Sequence, residues 1–143
     1  MPEIDERKVA IVPCSGIGKT YGTVSREAAY EVVEDLCPRT SQLVALSLLV
    51  LGDEEAREVV ARNVAITIDG CKLACATKMV QESGGTVARD FAVLDVYRQN
   101  RQLKPQGIAV LNEGGQQLAH VLAEEIAVVI ESLHEAQGEE DHA

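Results

Sequence analysis

The sequence predicts an α/β fold: a three-layer sandwich of Rossmann or flavodoxin type with about four parallel strands and a long C-terminal helix. Three observations predict it. Segments of strand and helix character alternate as βαβαβαβ before a final helix, and such alternation implies right-handed parallel crossovers. The strand segments are apolar on both faces, as in a sheet covered by helices on each side. Residues 115–136 place Leu118, Val121, Leu122, Ile126, Val129, Ile130 and Leu133 at the 3.6-residue period of a long amphipathic helix.

The elements follow in order. Residues 8–13 read as a first strand, and residues 14–22 as a glycine-rich loop. Residues 25–36 form an amphipathic helix with Ala29, Val32, Val33 and Leu36 on one stripe. Cys37-Pro38 ends it, because the residue before proline disfavours helix. Residues 42–51 are expected to hold a second, buried strand. Gly52-Asp53 is a turn with Asp53 as N-cap, and Glu54 and Glu55 lie in the first turn of a short helix that Asn63 ends. Residues 64–68 read as strand three and residues 72–83 as a helix closed by Gly84-Gly85. Strand four falls within residues 86–97, best seen from Phe91 to Tyr97, and a polar link covers 98–107.

Composition bounds the rest. A chain of 143 residues, 46% hydrophobic and 25% charged, fits one domain over residues 1–143, with 1–6 and 138–143 expected to be frayed. No apolar run reaches the ~18 residues of a membrane span, and the charged N-terminus lacks the apolar stretch of a signal peptide. A cytoplasmic protein is expected, so the four cysteines read as thiols or ligands rather than disulfides. The net charge of −10, with no Trp, one Phe and three Tyr, argues against nucleic-acid binding.

Chemistry concentrates at Asp69-Gly70-Cys71-Lys72-Leu73-Ala74-Cys75, which holds two of the four cysteines. Read as the start of a helix, Cys71 and Cys75 share one face of its first turn, where orphan amides and the helix dipole favour thiolate. Lys72 and Lys78 add positive potential. Two buried structural cysteines are the plainer alternative. In an open parallel sheet, sites lie outside the carboxyl ends of the strands. Cys14 follows strand one, and Asp69, Cys71 and Cys75 follow strand three, so they meet if those strands are neighbours. Asp53 and Asp95, read at the ends of strands two and four, point to the same edge. Cys37 ends a helix running away from that edge, roughly 18 Å off, and reads as a packing cysteine. Three thiolates with an open fourth position suit zinc or an iron–sulfur cluster. Asp69, Asp95, water or a substrate could fill that position, while Asp69 reads equally well as a helix cap.

The loop Cys14-Ser15-Gly16-Ile17-Gly18-Lys19 fits none of four well-known motifs. Pro13 stands where a P-loop needs its first glycine, and the glycine spacing is one residue too long for a dinucleotide fingerprint. Thr20 replaces the arginine of a cysteine phosphatase loop, and Lys78 replaces the third cysteine of radical-SAM spacing. The backbone amides of Ser15, Gly16 and Gly18, with Lys19, could hold an anion, and a simple tight turn is the alternative. His120, His134 and His142 have no companion at metal-ligand spacing.

Together, Pro13 to Lys19, Ser25 to Tyr30, Gly52 to Ala56, Ile68-Asp69-Gly70-Cys71, Cys75-Ala76 and Val93 to Tyr97 resemble the DGC-domain family, small prokaryotic proteins proposed to bind zinc. The resemblance implies a zinc site of four cysteines and assigns no reaction. Cys14, Cys71 and Cys75 carry over. The fourth is either Cys37 or a family cysteine in strand two, where this chain has no thiol between Leu43 and Ser47; the second case leaves an open coordination position. The resulting expectation is a zinc-binding protein. The alternatives are an iron–sulfur protein, a metal-free thiol enzyme with Cys14 as nucleophile, and a metal carrier or accessory subunit. Expected partners are a metal ion, a small molecule or protein and, across an exposed sheet edge, a second copy, but no nucleic acid or membrane.

Overall fold

A computed structural model describes residues 8–14, 19–70 and 74–141, with side chains as far as Ala136. Four strands form one parallel sheet: β1 (Val9–Pro13), β2 (Ser41–Leu43), β3 (Val64–Asp69) and β4 (Thr86–Ala92). Their order across the sheet is β2-β1-β3-β4. The helices are α1 (Thr20–Glu31), α2 (Leu46–Leu51), α3 (Glu54–Arg62), α4 (Cys75–Glu82), α5 (Val93–Gln99) and α6 (Glu113–Asp141). The expected α/β sandwich with a parallel sheet and long last helix is therefore present.

The two central strands carry the core. Every residue of β1 is buried, as are five of the six in β3, which is why both read as apolar on two faces. Val9, Ile11, Ile66 and Ile68 face α1, α5 and α6, where Val24, Ala28, Leu118, Leu122 and Ile126 meet them. Ala10, Val12 and Ala65 face the opposite layer, packed with Leu49, Val60, Ala76 and Val80 from α2, α3 and α4. Burying each Val, Leu or Ile side chain among them contributes about 1.5–3 kcal/mol relative to leaving it exposed.

The second strand is much shorter than expected. Only Ser41–Leu43 pairs with β1, and residues 46–51 turn into α2. A short apolar run does not reveal its period. Here it buries Leu46 and Leu49, three apart on one helical face, and leaves Val50 and Leu51 exposed. The fourth strand is displaced in the same way. It ends at Ala92, and residues 93–99 form α5, burying Val93 and Val96 against the α6 layer. β4 is a polar edge strand with a register irregularity opposite Ala65 and Ile66. Such bulges and exposed charges are how edge strands resist further pairing.

Helix boundaries follow local chemistry. α1 starts at Thr20, earlier than expected, and widens at its end into a π-helical segment, Val32–Leu36, closed by the Cys37 N–H on the Val32 carbonyl at 2.7 Å. Asp53 caps α3 by accepting the Ala56 N–H at 2.9 Å, and Asn63 ends that helix as expected. Gly84, at φ +83°, closes α4: its N–H reaches Gln81 while that of Gly85 reaches Val80. This left-handed terminator is the role glycine fills without steric cost. Asn112 Oδ1 accepts the Gly115 N–H at 2.8 Å, so α6 begins at Glu113, slightly before the periodic residues.

The candidate cysteine site

The strand order brings the two cysteine-bearing strand ends together. β1 pairs with β3 through Pro13↔Ile68, and the Cys14 N–H continues the ladder to the Ile68 carbonyl at 2.7 Å. The crossover from β1 leads outward to β2, and that from β3 leads the other way to β4. The boundary between β1 and β3 is therefore where the winding reverses, the place in open α/β sheets where ligands bind.

Asp69 ends β3 at 4% exposure. Its Oδ1 accepts the Ala76 N–H at 2.9 Å and its Oδ2 the Thr77 hydroxyl at 2.8 Å. Thr77 Oγ1 in turn lies 2.7 Å from Thr67 Oγ1 on β3. Because Thr77 donates to the carboxylate, Thr67 donates to Thr77. The carboxylate thus supplies the cap that Ala74, which occupies the N-cap position of α4, has no side chain to provide. Both its oxygens are committed to holding α4, which favours the capping role of Asp69 over the ligand role.

Gly70 lies against the first turn of α1. A Cβ there would meet Gly22 N at 3.1 Å and the Tyr21 carbonyl carbon at 3.2 Å. The glycine thus lets the end of β3 approach the backbone of α1. That turn is itself held: the Ser25 hydroxyl, fully buried, lies 2.8 Å from the Gly22 carbonyl and 3.2 Å from the Cys14 carbonyl. Thr23 donates to the Ile108 carbonyl, and Tyr21 packs on Tyr97 of α5 with ring centroids 6.4 Å apart.

α4 starts at Cys75, three residues later than expected. Ala74 stands at φ +52°, ψ +44°, a left-handed conformation through which a right-handed helix cannot be continued. α4 therefore does not run back past Ala74. Cys71, Ser15, Gly16 and Gly18 lie outside the described residues. Cys14 is buried and Cys75 half-buried. Lys19 is exposed just before α1.

Cys37 lies at the opposite edge. It precedes β2, its carbonyl accepts the Ser41 hydroxyl at 2.6 Å, and Val9 at the start of β1 bonds to the Thr40 carbonyl. Its side chain joins the core under α6, and burial pushes its thiol pKa up, against a lowering hydrogen bond with Thr40. Two further expectations are corrected. Asp53 follows α2 rather than a strand and is occupied as the cap of α3. Asp95 lies within α5, well exposed, with Arg98 at 3.8 Å. Neither stands at the end of a strand, because the apolar runs before them continue into helices.

Among the described residues, no group of three or more His, Cys, Asp or Glu is arranged to hold a metal ion. By residue type the donors at this edge suit a soft metal: Cys14 follows β1, Cys75 opens α4, and Cys71 lies between Gly70 and Ala74 in sequence. Two features were not read from sequence. The Thr67–Thr77–Asp69 relay joins residues on two elements, and no local pattern encodes it. A cavity of about 340 Å3 lies against Cys14, with Arg26 and Tyr30 of α1 on one side and residues 43–47 on the other. The one-turn spacing of Arg26 and Tyr30 was its available signal.

No helix among the described residues is long and apolar enough to cross a membrane. No curated protein and no solved structure matches the chain. The model of the DGC domain matches residues 10–117, which span β1 through the start of α6 and include every cysteine, so the chain belongs to the DGC-domain family.

Proposed function

We propose that this chain is a cytoplasmic metal-binding protein holding zinc through the thiolates of Cys14, Cys71 and Cys75 at the carboxyl edge of its sheet. The observation that carries the reading is the pairing of β1 with β3. It sets Cys14 beside the strand that leads into Asp69-Gly70-Cys71 and the start of α4. Cys37 is left out because it belongs to the opposite edge. Zinc would supply Lewis acidity to an oxygen or sulfur group placed beside Cys14. The chain's own part is to hold the ligands in place: Asp69 anchors the start of α4, Gly70 admits α1, and Ser25 ties the Cys14 carbonyl to the same turn.

The test is elemental analysis with an absorption spectrum on protein purified without oxygen or chelator. About one zinc per chain in a colourless solution, lost in Cys14→Ser, supports the reading. Iron with visible charge-transfer bands replaces zinc by a cluster. No metal, with Cys14 alkylating fast at neutral pH, sinks the metal site.

The cavity beside Cys14 favours a second reading, a metal-free thiol enzyme with Cys14 as nucleophile. In that case the protein carries no metal at any stage, and Cys14→Ser abolishes its thiol reactivity.

A further inference from the structure

The longest stretch of the chain without a charged side chain is residues 40–52, in a protein of net charge −10. It forms β2 and α2, and part of it surfaces as an apolar face. Leu51 is 81% exposed and Val50 62%, and Leu48, Leu43 and Tyr30 of α1 are each about 40% exposed. Tyr30, Leu43, Leu46 and Ser47 line one cavity together with Cys14. Val50 and Leu51 stand one helical turn beyond Leu46 and Ser47, so the exposed face borders that cavity.

We infer that this face pairs with the same face of a second copy, forming a two-fold dimer that covers the mouth of the Cys14 cavity. The inference goes beyond the proposed function and does not rest on it. Area supports it. At those exposures the five side chains present roughly 500 Å2 of apolar surface per copy. Pairing then buries roughly 1,000 Å2 before any polar rim is added, the level a specific interface must clear. A contiguous apolar patch of that size is at the upper end of what a monomer exposes.

Charge supports the same occupant. Copies of a chain carrying −10 repel one another over most of their surface, and the repulsion is least on an uncharged face. The two ends of the uncharged stretch differ in sign: Arg39 precedes it, and Asp53, Glu54 and Glu55 follow it, all four exposed. A two-fold axis through the middle of the face sets the basic end of each copy against the acidic end of the other. That is the self-complementarity an isologous interface requires. An anionic lipid surface would instead repel the acidic end.

Sedimentation equilibrium of the reduced full chain tests the pairing from roughly 1 to 200 μM, concentrations at which a modest interface assembles. The mass is expected to climb from 15.4 kDa toward twice that value. Leu51→Glu and Val50→Glu each set a carboxylate in the face and should weaken the dimer at least about tenfold. Both side chains are exposed, so both variants should keep the parent's circular dichroism. Val128→Glu changes an equally exposed valine on α6 (65%) and should leave the mass unchanged. A mass of 15.4 kDa at every concentration overturns the inference, as does a dimer that both α2 variants leave intact. A monomer that floats with phosphatidylcholine vesicles overturns it in favour of a lipid partner. Iodoacetamide in fixed excess reads the covering of the cavity. Cys14 should react more slowly at the high end of the concentration range than at the low end, and at one rate throughout in Leu51→Glu. A dimer in which the Cys14 rate ignores concentration overturns the covering. Zinc is measured on the same samples. One zinc per chain in a monomer overturns the dimer alone, and a dimer through this face without zinc overturns the metal reading alone.

Discussion

The carboxylate of Asp69, at the end of β3, accepts the backbone N–H of Ala76, in the first turn of α4, at 2.9 Å. A strand end thereby caps a helix further along the same chain, the one that Cys75 opens. Asp69→Ala should destabilise the protein by about 1–3 kcal/mol, because a buried amide and the Thr77 hydroxyl lose their acceptor. Asp69→Asn should cost less. Its carbonyl oxygen still accepts from Ala76, and Thr77 can reverse its hydroxyl to accept from the new amide and donate to Thr67. Denaturant midpoints for the two variants check the order. Zinc content checks the role: a capping Asp69 leaves stoichiometry intact in Asp69→Asn, whereas a ligand would lose it.

Gly70 approaches backbone, not a movable side chain. A methyl group there would come within 3.1–3.3 Å of Gly22 N and the Tyr21 carbonyl group. Gly70→Ala should therefore force the end of β3 and the first turn of α1 apart, at about 1–3 kcal/mol. The same shift moves Cys14 relative to Cys75, since Ser25 links that turn to the Cys14 carbonyl. The expected result is a lower melting temperature together with weaker zinc retention against a chelator. A melting temperature within a degree of the parent would mean that the contact relaxes freely.

What was legible in the sequence follows from which signals are local. β1 and β3 could be read because Ala10, Ile11, Val12 and Ala65, Ile66, Ile68 are apolar on both faces, and both strands end at a proline or an Asp-Gly turn. Asp53 and Gly84 mark helix ends through a capping side chain and a positive φ, so they too could be read. α2 and α5 could not. Each is a helix of under eight residues in which only two positions are buried, Leu46 and Leu49 or Val93 and Val96. Over so short a span, a helical face and one edge of a strand present the same composition. The strand order is non-local: alternation implies parallel crossovers but not that β1 neighbours β3, and on that adjacency the meeting of Cys14 with Asp69 depends. Arg26 comes to the Cys14 cavity only once α1 is docked on the sheet.

Cys37 provides an internal control for the thiol site. It lies in the core at the opposite edge of the sheet, 7% exposed. Burial raises its pKa above 9.0, so in the folded protein at pH 7.5 it should alkylate far more slowly than the same cysteine does in the denatured chain. Cys37→Ala should leave metal stoichiometry unchanged. Its stability cost should stay below the 2–5 kcal/mol typical of larger core truncations, roughly 1 kcal/mol, because only a sulfur atom is removed. The raised thiol also has a pH signature. Stability from its protonated form is complete below the unfolded value near 9 and declines as pH rises through the folded value, so the melting temperature of the parent should fall more steeply above pH 9 than that of Cys37→Ala. Loss of a metal ion in Cys37→Ala would instead make Cys37 a ligand.

His120 joins the two long helices. Its Nδ1 lies 2.6 Å from Glu31 Oε1 on α1, and its Nε2 lies 2.7 Å from Glu124 Oε1 on α6. Both ring nitrogens face carboxylate oxygens, an arrangement that only the imidazolium satisfies with two donated hydrogens. The hydrogen bond to Glu31 raises its pKa above 6.5 against a lowering by burial, and the charges of Glu31 and Glu124 add to the rise. A raised folded pKa means that the stabilisation is complete below pH 6.5 and is lost as pH climbs through the folded value. The ring is about half exposed, so solvent screening keeps the effect modest. The expected outcome is a melting temperature that declines gently from about pH 6.5 upward in the parent, with that part of the slope missing in His120→Gln and in Glu31→Gln. An NMR titration of the imidazole gives the direct measurement. A midpoint at or below 6.5 would show that α1 and α6 are not coupled through this ring, and the two substitutions should then leave the pH profile of stability unchanged.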